Sequence, residues 1–156
     1  MNEELRQLHE VLLDLVGFFN QPQRDAALLK EAGVALDRAL FPLLVRVEKR
    51  GPIGVVELAG LVGRDYTTVS RQVAKLDSLG LVTRQAGQHD RRVSDVAITP
   101  AGAAMNQAID AARERLMWPL LSQWSADERR DLTRLLRRLL GDAQRGSGQG
   151  AEIESD

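Results

Sequence analysis

The segment that decides the fold is residues 55–84, with the sequence VVELAGLVGRDYTTVSRQVAKLDSLGLVTR. Its apolar pattern predicts a short helix over Val55–Leu61 and a second helix over Tyr66–Ser78. Asp65 precedes the second helix as an N-cap residue, and Gly80 follows it at the position where helices commonly end on glycine. Because only a short turn separates the two helices, they would meet at a steep angle, which predicts a helix-turn-helix.

Two strands are predicted directly after these helices. Leu81–Arg84 and Val93–Ile98 have strand-like patterns, and the polar segment Gln85–Arg92 joins them as a hairpin tip. Thr99-Pro100 then marks the start of another helix, with threonine as the cap and proline at the first helical position. The predicted fold class is therefore mainly α with a small β-wing, a winged helix-turn-helix over about residues 51–99.

Helices with leucine stripes are predicted on both sides of this unit. In the helix from about Glu3 to Phe19, apolar residues recur at alternating spacings of three and four, as in a coiled-coil seam. A polar, Ala-rich link would follow, and then a helix over Val34–Lys49 that bends at Pro42. The capping box S-x-x-E at Ser125 opens a last helix with its own leucine stripe. Such stripes pack within one chain or between two, and their presence at both ends favours a dimer.

Charge is distributed unevenly along the 156 residues, whose net charge is −1. Residues 46–92 hold nine Lys/Arg and five Asp/Glu, a net charge of +4, whereas residues 1–45 and 93–156 carry −3 and −2. A local basic surface is what binding to phosphate groups requires, although a chance fluctuation would give the same numbers. The end of the chain, 146–156, has little apolar content and is predicted to be a disordered acidic tail.

Several classes of protein are disfavoured by the composition. The chain has no cysteine, and its two histidines are far apart with no metal-ligand spacing around them, so neither a metal nor a cofactor is expected. No nucleophile–base arrangement, P-loop or dinucleotide motif is present, which argues against an enzyme. No apolar run approaches the ~18 residues of a membrane span, and the acidic start lacks secretory features, so a cytoplasmic protein is expected.

Two surfaces are predicted to contact double-stranded DNA. On the polar face of the second helix, where a recognition helix would present its first turns to the major groove, the candidates are Tyr66, Thr67, Thr68, Ser70, Arg71 and Lys75. At the hairpin tip the candidates are Asp90, Arg91 and Arg92. Arginine suits a narrow minor groove, and Asp90 could hold the guanidinium of Arg92 in a bidentate pair. Solvation remains the alternative for each, most of all for Lys75, and Asp90 could instead be a turn residue.

Five motifs in order resemble the MarR family of transcription regulators: Glu57-Leu58-Ala59, Thr68-Val69-Ser70-Arg71, Gly80-Leu81-Val82, Asp90-x-Arg92 and Thr99-Pro100-x-Gly102. The resemblance implies one domain over 1–145, with N- and C-terminal dimerisation helices at about 3–33 and 100–143 flanking the winged helix-turn-helix. It also implies a homodimer on a pseudo-palindromic operator, and a repressor that a small aromatic or phenolic ligand releases. The candidate ligand contacts are Phe18, Phe41, Leu44 and Tyr66.

Two other functions stay open on the sequence alone. One is a winged-helix module for protein interaction that does not bind DNA. The other is a constitutive DNA binder with no effector. Tyr66 is ambiguous as well, because a bulky side chain at that position could read bases or line the space beneath the dimerisation helices. The lack of cysteine excludes the peroxide-sensing branch of the family.

Overall fold

The computed structural model describes residues 2–88 and 90–150, and for 147–150 only the backbone. Within these residues it has seven helices and three short strands. In chain order they are α1 (Glu3–Phe19), α2 (Pro22–Ala32), α3 (Phe41–Arg50), β1 (Ile53–Gly54), α4 (Val55–Val62), α5 (Tyr66–Ser78), β2 (Val82–Ala86), β3 (Ser94–Ile98), α6 (Pro100–Leu121) and α7 (Ala126–Gly150). The chain divides into two units, one up to Glu114 and the other from Arg115 onward.

The core of the first unit is mainly aliphatic and includes residues of α2 to α6 and all three strands. Val69, Val73 and Leu76 on α5 are fully buried, and their spacing of four and three puts them on one helix face. Truncating a buried leucine such as Leu76 to alanine typically lowers the free energy of unfolding by about 2–5 kcal/mol. The other large aliphatic side chains that are fully buried among the described residues are Leu43, Leu44, Val47, Ile53, Leu58, Val82, Val96 and Ile109. This packing fixes which face of α5 remains exposed.

The helix-turn-helix is confirmed, together with its predicted caps. Gly63 ends α4 with a φ of +65°, a conformation that glycine adopts without strain. The side chain of Asp65 accepts a hydrogen bond from the backbone N–H of Thr68 and caps α5. Gly80, just beyond the end of α5, has a φ of +71°. The ends of both helices are therefore specified locally by these residues.

The three strands form one antiparallel sheet in the order β1-β3-β2. In the wing, Val82 pairs with Ile98 and Ala86 with Ser94, while Ile53 of β1 pairs with Val96 on the other side of β3. The hairpin matches the prediction, but β1 was not predicted. A two-residue strand has no detectable period, and the sequence around it contains the glycines and proline typical of turns.

The start of α6 lies very close to the end of the helix-turn-helix. The hydroxyl of Thr99 donates to the carbonyl of Gly80 at 2.6 Å and accepts from the N–H of Gly102 at 3.1 Å. A Cβ atom on Gly102 would overlap the carbonyl oxygen of Leu81 and lie 2.8 Å from Cδ1 of Ile98. Glycine is therefore required for this close approach, and Thr99-Pro100 is confirmed as a helix start.

Two predictions before α4 are wrong. The segment expected to be an Ala-rich link is the helix α2, with Pro22 in its first turn. The helix expected from Val34 begins instead at Phe41, so that Pro42 lies in its first turn and does not bend it. The reason is common to both: the first turn of a helix has N–H groups without partners in the helix, so a proline there sacrifices no hydrogen bond. Residues 33–40 form the loop between the two helices.

Among the described residues, Asn106 of α6 is the polar residue that is buried in the core. It is 1% exposed, and its Nδ2 donates to the carbonyl of Leu44 at 3.2 Å and to the Glu48 carboxylate at 2.7 Å. Its Oδ1 has no hydrogen-bond partner among the described residues. Because both neighbours are acceptors, rotating the amide would face oxygen against oxygen. The orientation is therefore fixed, and it ties α6 to α3.

The flanking helices leave large apolar side chains exposed. No residue of α1 is buried, and Leu5, Val11 and Leu13 are each more than half exposed. The exposed leucines of α7 in the second unit are Leu132, Leu135, Leu136, Leu139 and Leu140. The leucine stripes read from the sequence are thus present on helices with little to cover them.

The capping box of α7 is confirmed. The backbone N–H of Ser125 donates to the Glu128 carboxylate at 2.7 Å, and the N–H of Glu128 donates to the Ser125 hydroxyl at 3.1 Å. The first of these bonds lowers the pKa of Glu128. The helix runs on to Gly150, so 146–150 are helical where a disordered tail was predicted, and 151–156 lie outside the described residues. Glycine disfavours a helix by only about 1 kcal/mol, which does not forbid this extension. In the described part of the chain no helix is long and apolar enough to cross a membrane.

Candidate nucleic-acid interface

The polar face of α5 is defined by the burial of its opposite face. The side chains of Thr67, Arg71 and Lys75 are exposed, Tyr66 is 56% exposed, and Thr68 and Ser70 are half-buried. The first two turns of α5 therefore present mostly short polar side chains and one aromatic ring to solvent. This is the arrangement that a helix entering a major groove requires.

Thr68 is engaged in the cap of α5. Its hydroxyl donates to one carboxylate oxygen of Asp65 at 2.6 Å, and its backbone N–H donates to the other at 2.9 Å. These two bonds, the hydroxyl first, lower the pKa of Asp65 because they stabilise the ionised carboxylate. While the cap persists, Thr68 can offer DNA its methyl group or an acceptor oxygen, but not its hydroxyl proton. Among the predicted contacts, Thr67 is better placed to donate to a phosphate.

The tip of the wing is held together by backbone hydrogen bonds. Gly87 donates to the carbonyl of Val93 at 2.8 Å, and Val93 donates to the carbonyl of Asp90 at 3.1 Å. A Cβ atom on Gly87 would overlap the Asp90 carbonyl oxygen and lie 2.7 Å from that of Val93. The N–H of Gln88 also donates to the Asp95 carboxylate at 3.1 Å. The tip is thus a defined turn that only glycine at position 87 permits.

Asp90 has a different role from the predicted bidentate pair with Arg92. Its Oδ1 accepts a hydrogen bond from the backbone N–H of Arg92 at 2.9 Å, which is the geometry of an aspartate turn. Within the described residues, no ion pair joins Asp90 to the guanidinium of Arg92. The bidentate pair is not formed, and the observed bond fits the alternative prediction of a turn residue, because a side chain two residues back reaches the main chain more readily than the end of a long arginine. Asp90 therefore shapes the turn.

The arginines differ in whether they form an ion pair. Those on α6 and α7 are commonly paired with an aspartate one turn away, as Arg113 is with Asp110 and Arg134 with Asp131. By contrast, in the part of the chain that the structure describes, Arg71, Lys75, Arg91 and Arg92 have no ion pair. Unneutralised cations on α5 and on the wing can release counterions from DNA when they meet phosphates.

Arg64, in the turn before α5, has contacts that were not foreseen. Its Nη1 donates to the carbonyl of Ala39 at 2.7 Å and to Oε1 of Gln72 at 2.9 Å. The sequence shows only that Arg64 lies in a turn, since a contact across 25 residues leaves no periodic signal. The exposed Arg84 was also missed, although it lies on β2 of the wing opposite Val96. The basic excess of residues 46–92 was the available signal for it.

The four candidate ligand contacts differ in their surroundings. Phe41 and Leu44 are buried in the core, so they serve packing and a ligand reaching them would have to displace core contacts. Phe18 is partly exposed, with the guanidinium of Arg24 3.5 Å from its ring centroid. Tyr66 is exposed at the start of α5. An open groove of about 650 Å³ lies elsewhere, along Ala126–Arg137 of α7, and none of the four lines it.

No group of three or more potential metal ligands is found among the described residues. Among the described residues of the α5 face and the wing there is no cluster of the carboxylates or histidines that a cation would need. The two surfaces carry hydroxyl groups, one tyrosine and unpaired cations. Their chemistry suits anionic polymers better than small-molecule catalysis.

Comparison with known proteins supports the same interpretation. A family model described as HVO_A0114 matches residues 36–96, from the loop before α3 to the middle of β3. The chain is also 34% identical over 104 residues to YxaD of Bacillus subtilis (strain 168), described as an uncharacterized HTH-type transcriptional regulator. This match covers 67% of the chain and 73% of YxaD. The relative is therefore a member of a non-enzymatic class of proteins, the transcriptional regulators.

Solved structures show the same fold. A MarR family protein from Bacillus stearothermophilus has a TM-score of 0.75 at 24% identity, covering 92% of this chain and 99% of the other. The transcriptional regulator BldR from Sulfolobus solfataricus has a TM-score of 0.71 at 24% identity, covering 91% and 99%. Both similarities extend beyond the winged helix-turn-helix to the flanking helices.

Proposed function

The chain belongs to the MarR family of transcription regulators, and on that premise we propose that it binds one specific duplex as a homodimer. We propose further that it represses transcription in the cytoplasm until a small aromatic or phenolic ligand releases it from its operator. As a transcription regulator of this family it binds DNA. The proposal concerns the residues, the stoichiometry and the control of that binding.

The observation that carries the proposal is the set of unneutralised cations on two neighbouring elements of one unit. Arg71 on α5 and Arg91 and Arg92 on the wing have no ion pair with a described residue. A helix with polar first turns fits the major groove, and a β-ribbon ending in arginines fits the adjacent minor groove. A winged helix that served only protein interaction would not require unpaired cations on both α5 and the wing.

The dimer is supported by the exposed apolar side chains of the flanking helices. Leu8 on α1 and Leu135 on α7 belong to leucine stripes that the chain itself leaves in contact with water. Contiguous apolar surface of this kind usually marks an interface. A second copy would cover it, and a two-fold axis would then present two α5 helices to half-sites about 34 Å apart. The operator would accordingly be pseudo-palindromic.

The ligand and the sign of regulation rest on membership of the family. Of the four candidate contacts, Phe18 and Tyr66 keep exposed ring surface that a ligand could reach without disrupting the core. A ligand that binds preferentially to a conformation with another separation of the two α5 helices would lower the affinity for DNA. A constitutive binder would lack this response.

The experiment that tests DNA binding is a genome-wide pull-down followed by titration of the recovered duplex at several salt concentrations. We expect tight, salt-sensitive binding and a strong loss of affinity in Arg92→Ala with the dimer intact. Arg6→Ala is the matched control, because Arg6 forms an exposed ion pair with Glu3 on α1, far in sequence from the wing. Unchanged affinity of Arg92→Ala would remove the wing from the proposal, and no binding to any duplex at low salt would favour a protein-interaction module.

The ligand is tested separately. Small aromatic acids and phenols are screened for thermal stabilisation of the DNA-free protein, and compounds that stabilise it are added to the protein–DNA complex. Stabilisation together with release of DNA supports the proposed control. If compounds that bind leave the complex intact, or if none binds, the result counts against control by an aromatic ligand and favours a constitutive DNA binder.

A further inference from the structure

We propose that Arg64 is a positioning residue for DNA recognition, which holds α5 in register with the loop between α2 and α3, residues 33–40. The inference rests on the proposed function, because it assigns a role in sequence-specific binding. Arg64 is not among the residues predicted to touch DNA. Its side chain would act through α5.

The backbone of Arg64 is held between two helix ends. Its N–H donates to the carbonyl of Ala59 at 3.1 Å, which closes the C-terminal end of α4 after the left-handed residue Gly63. The next residue, Asp65, caps α5. The Cα atom of Arg64 is thus fixed relative to both helices, and its side chain starts from a defined point.

The side chain joins two segments that are far apart in sequence. Nη1 of Arg64 donates to the carbonyl of Ala39 in the loop and to Oε1 of Gln72 on α5, at 2.7 and 2.9 Å. The loop is itself ordered at this point, because the N–H of Ala39 donates to the carboxylate of Asp37 at 2.8 Å. The half-buried Arg64 therefore connects the turn between α4 and α5 to the loop at Ala39 and to Gln72 on the recognition helix α5.

Gln72 makes this connection relevant to DNA. It lies directly after Arg71, a predicted DNA contact, and directly before Val73, which is fully buried. A restraint at Gln72 adds to the apolar packing of α5 in resisting small rotations of the helix about its own axis. Since hydrogen bonds to base edges weaken steeply with distance and angle, a small rotation would misplace the side chains of the first turns.

The partners of Arg64 are neutral, and the described residues include no carboxylate in an ion pair with it. A planar guanidinium that donates to two acceptors in fixed directions gives a more rigid connection than an ammonium group. Because the partners of Arg64 do not neutralise its positive charge, a second explanation of its role is a direct contact with a DNA phosphate. Salt dependence separates the two, because a phosphate contact contributes to counterion release and a positioning contact does not.

The test measures affinity for the operator and for a scrambled duplex over a range of salt concentrations. The variants are Arg64→Met, Gln72→Met and the double variant, with Arg38→Met as a control that removes an exposed charge from the same loop. We expect each single variant to lower the ratio of specific to non-specific affinity by about tenfold. We expect the double variant to be no worse than either single one, because both remove the same connection. The salt slope and the control should not change.

Three results would overturn the inference. A salt slope that falls by about 0.9 in Arg64→Met would indicate one lost phosphate contact. An unchanged affinity ratio in Gln72→Met would show that the connection does not serve recognition, and this variant keeps the test decisive if Arg64→Met does not fold. Strictly additive losses in the double variant would show that the two residues act separately. If the unsubstituted protein binds no duplex, it is the proposed function that fails.

Discussion

Asp90 and Arg92 are joined through the main chain at the tip of the wing, where Oδ1 of Asp90 accepts the N–H of Arg92 at 2.9 Å. The aspartate therefore shapes the turn while the guanidinium of Arg92 remains exposed and unpaired among the described residues. A carboxylate that neutralised this arginine would reduce its attraction to phosphate. The observed arrangement orders the tip without that loss.

This relationship predicts different results for two substitutions of Asp90. Asp90→Asn keeps an oxygen that can accept the N–H of Arg92 and removes a negative charge close to the DNA. We expect DNA affinity equal to or higher than that of the unsubstituted protein, whereas Asp90→Ala should lower it because the turn loses its side-chain acceptor. Fluorescence anisotropy with labelled operator measures both. Equal losses in the two variants would instead show that the negative charge of Asp90 is what matters.

Gly87→Ala is expected to weaken DNA binding without unfolding the protein. The added Cβ would overlap the carbonyl oxygen of Asp90, so the tip must open and Arg91 and Arg92 lose their fixed positions. The fully buried core residues lie outside this turn, so the midpoint of thermal unfolding should change little. Gly17→Ala is the control, since a Cβ there meets nothing within 4 Å. Loss of affinity in the control as well would mean that the effect does not come from the wing.

Gly102→Ala is expected to destabilise the whole first unit. The methyl group would overlap the carbonyl of Leu81 and crowd Ile98, and overpacking of this kind typically costs about 1–3 kcal/mol. Gly60→Ala on α4 is the opposite case, because open space surrounds it and alanine stabilises a helix interior by about 0.5–1 kcal/mol relative to glycine. Urea unfolding measures both free energies. If Gly102→Ala left the free energy of unfolding unchanged, the start of α6 would have to be able to move away from β2.

The cap of α5 predicts a dependence of stability on pH. The pKa of Asp65 is lowered in the folded protein by the hydroxyl and N–H of Thr68. A carboxyl with a depressed pKa stabilises the fold fully above its unfolded pKa and loses that contribution as pH falls through the folded value. Asp65→Ala should therefore be less stable at neutral pH, and the difference should shrink below about pH 4. Urea unfolding at a series of pH values tests this, and a difference that does not vary with pH would contradict it.

The features foreseen from sequence are those with local causes. Asp65, Gly80 and Ser125 act within three or four residues of their own positions, and Thr99 caps α6 in the same way through the N–H of Gly102, so each could be identified from a short motif. The bond from the Thr99 hydroxyl to the Gly80 carbonyl spans 19 residues and has no such local signal. The helix α2 is not evident from the sequence, because Pro22 predicts a break although the first turn of a helix accepts proline without loss.

The candidate site was only partly foreseeable. The polar face of α5 follows from helical periodicity, because burying Val69, Val73 and Leu76 exposes the opposite side. The contacts of Arg64 do not, since a long flexible side chain has many acceptors within reach and only the folded backbone selects Ala39 and Gln72. The role of Asp90 required the turn geometry as well.

The amide of Asn106 has a consequence for how the protein can change shape. Its two hydrogen bonds, to the Leu44 carbonyl and to Glu48, permit one axial position of α6 on α3. A slide by one helical turn, about 5.4 Å, would break both hydrogen bonds of the buried amide, and an unpaired buried polar group is costly. Intermediate positions are unfavourable for the same reason. A ligand acting through this contact would therefore keep it intact or break it altogether, so that each molecule would switch between two discrete arrangements rather than deform gradually.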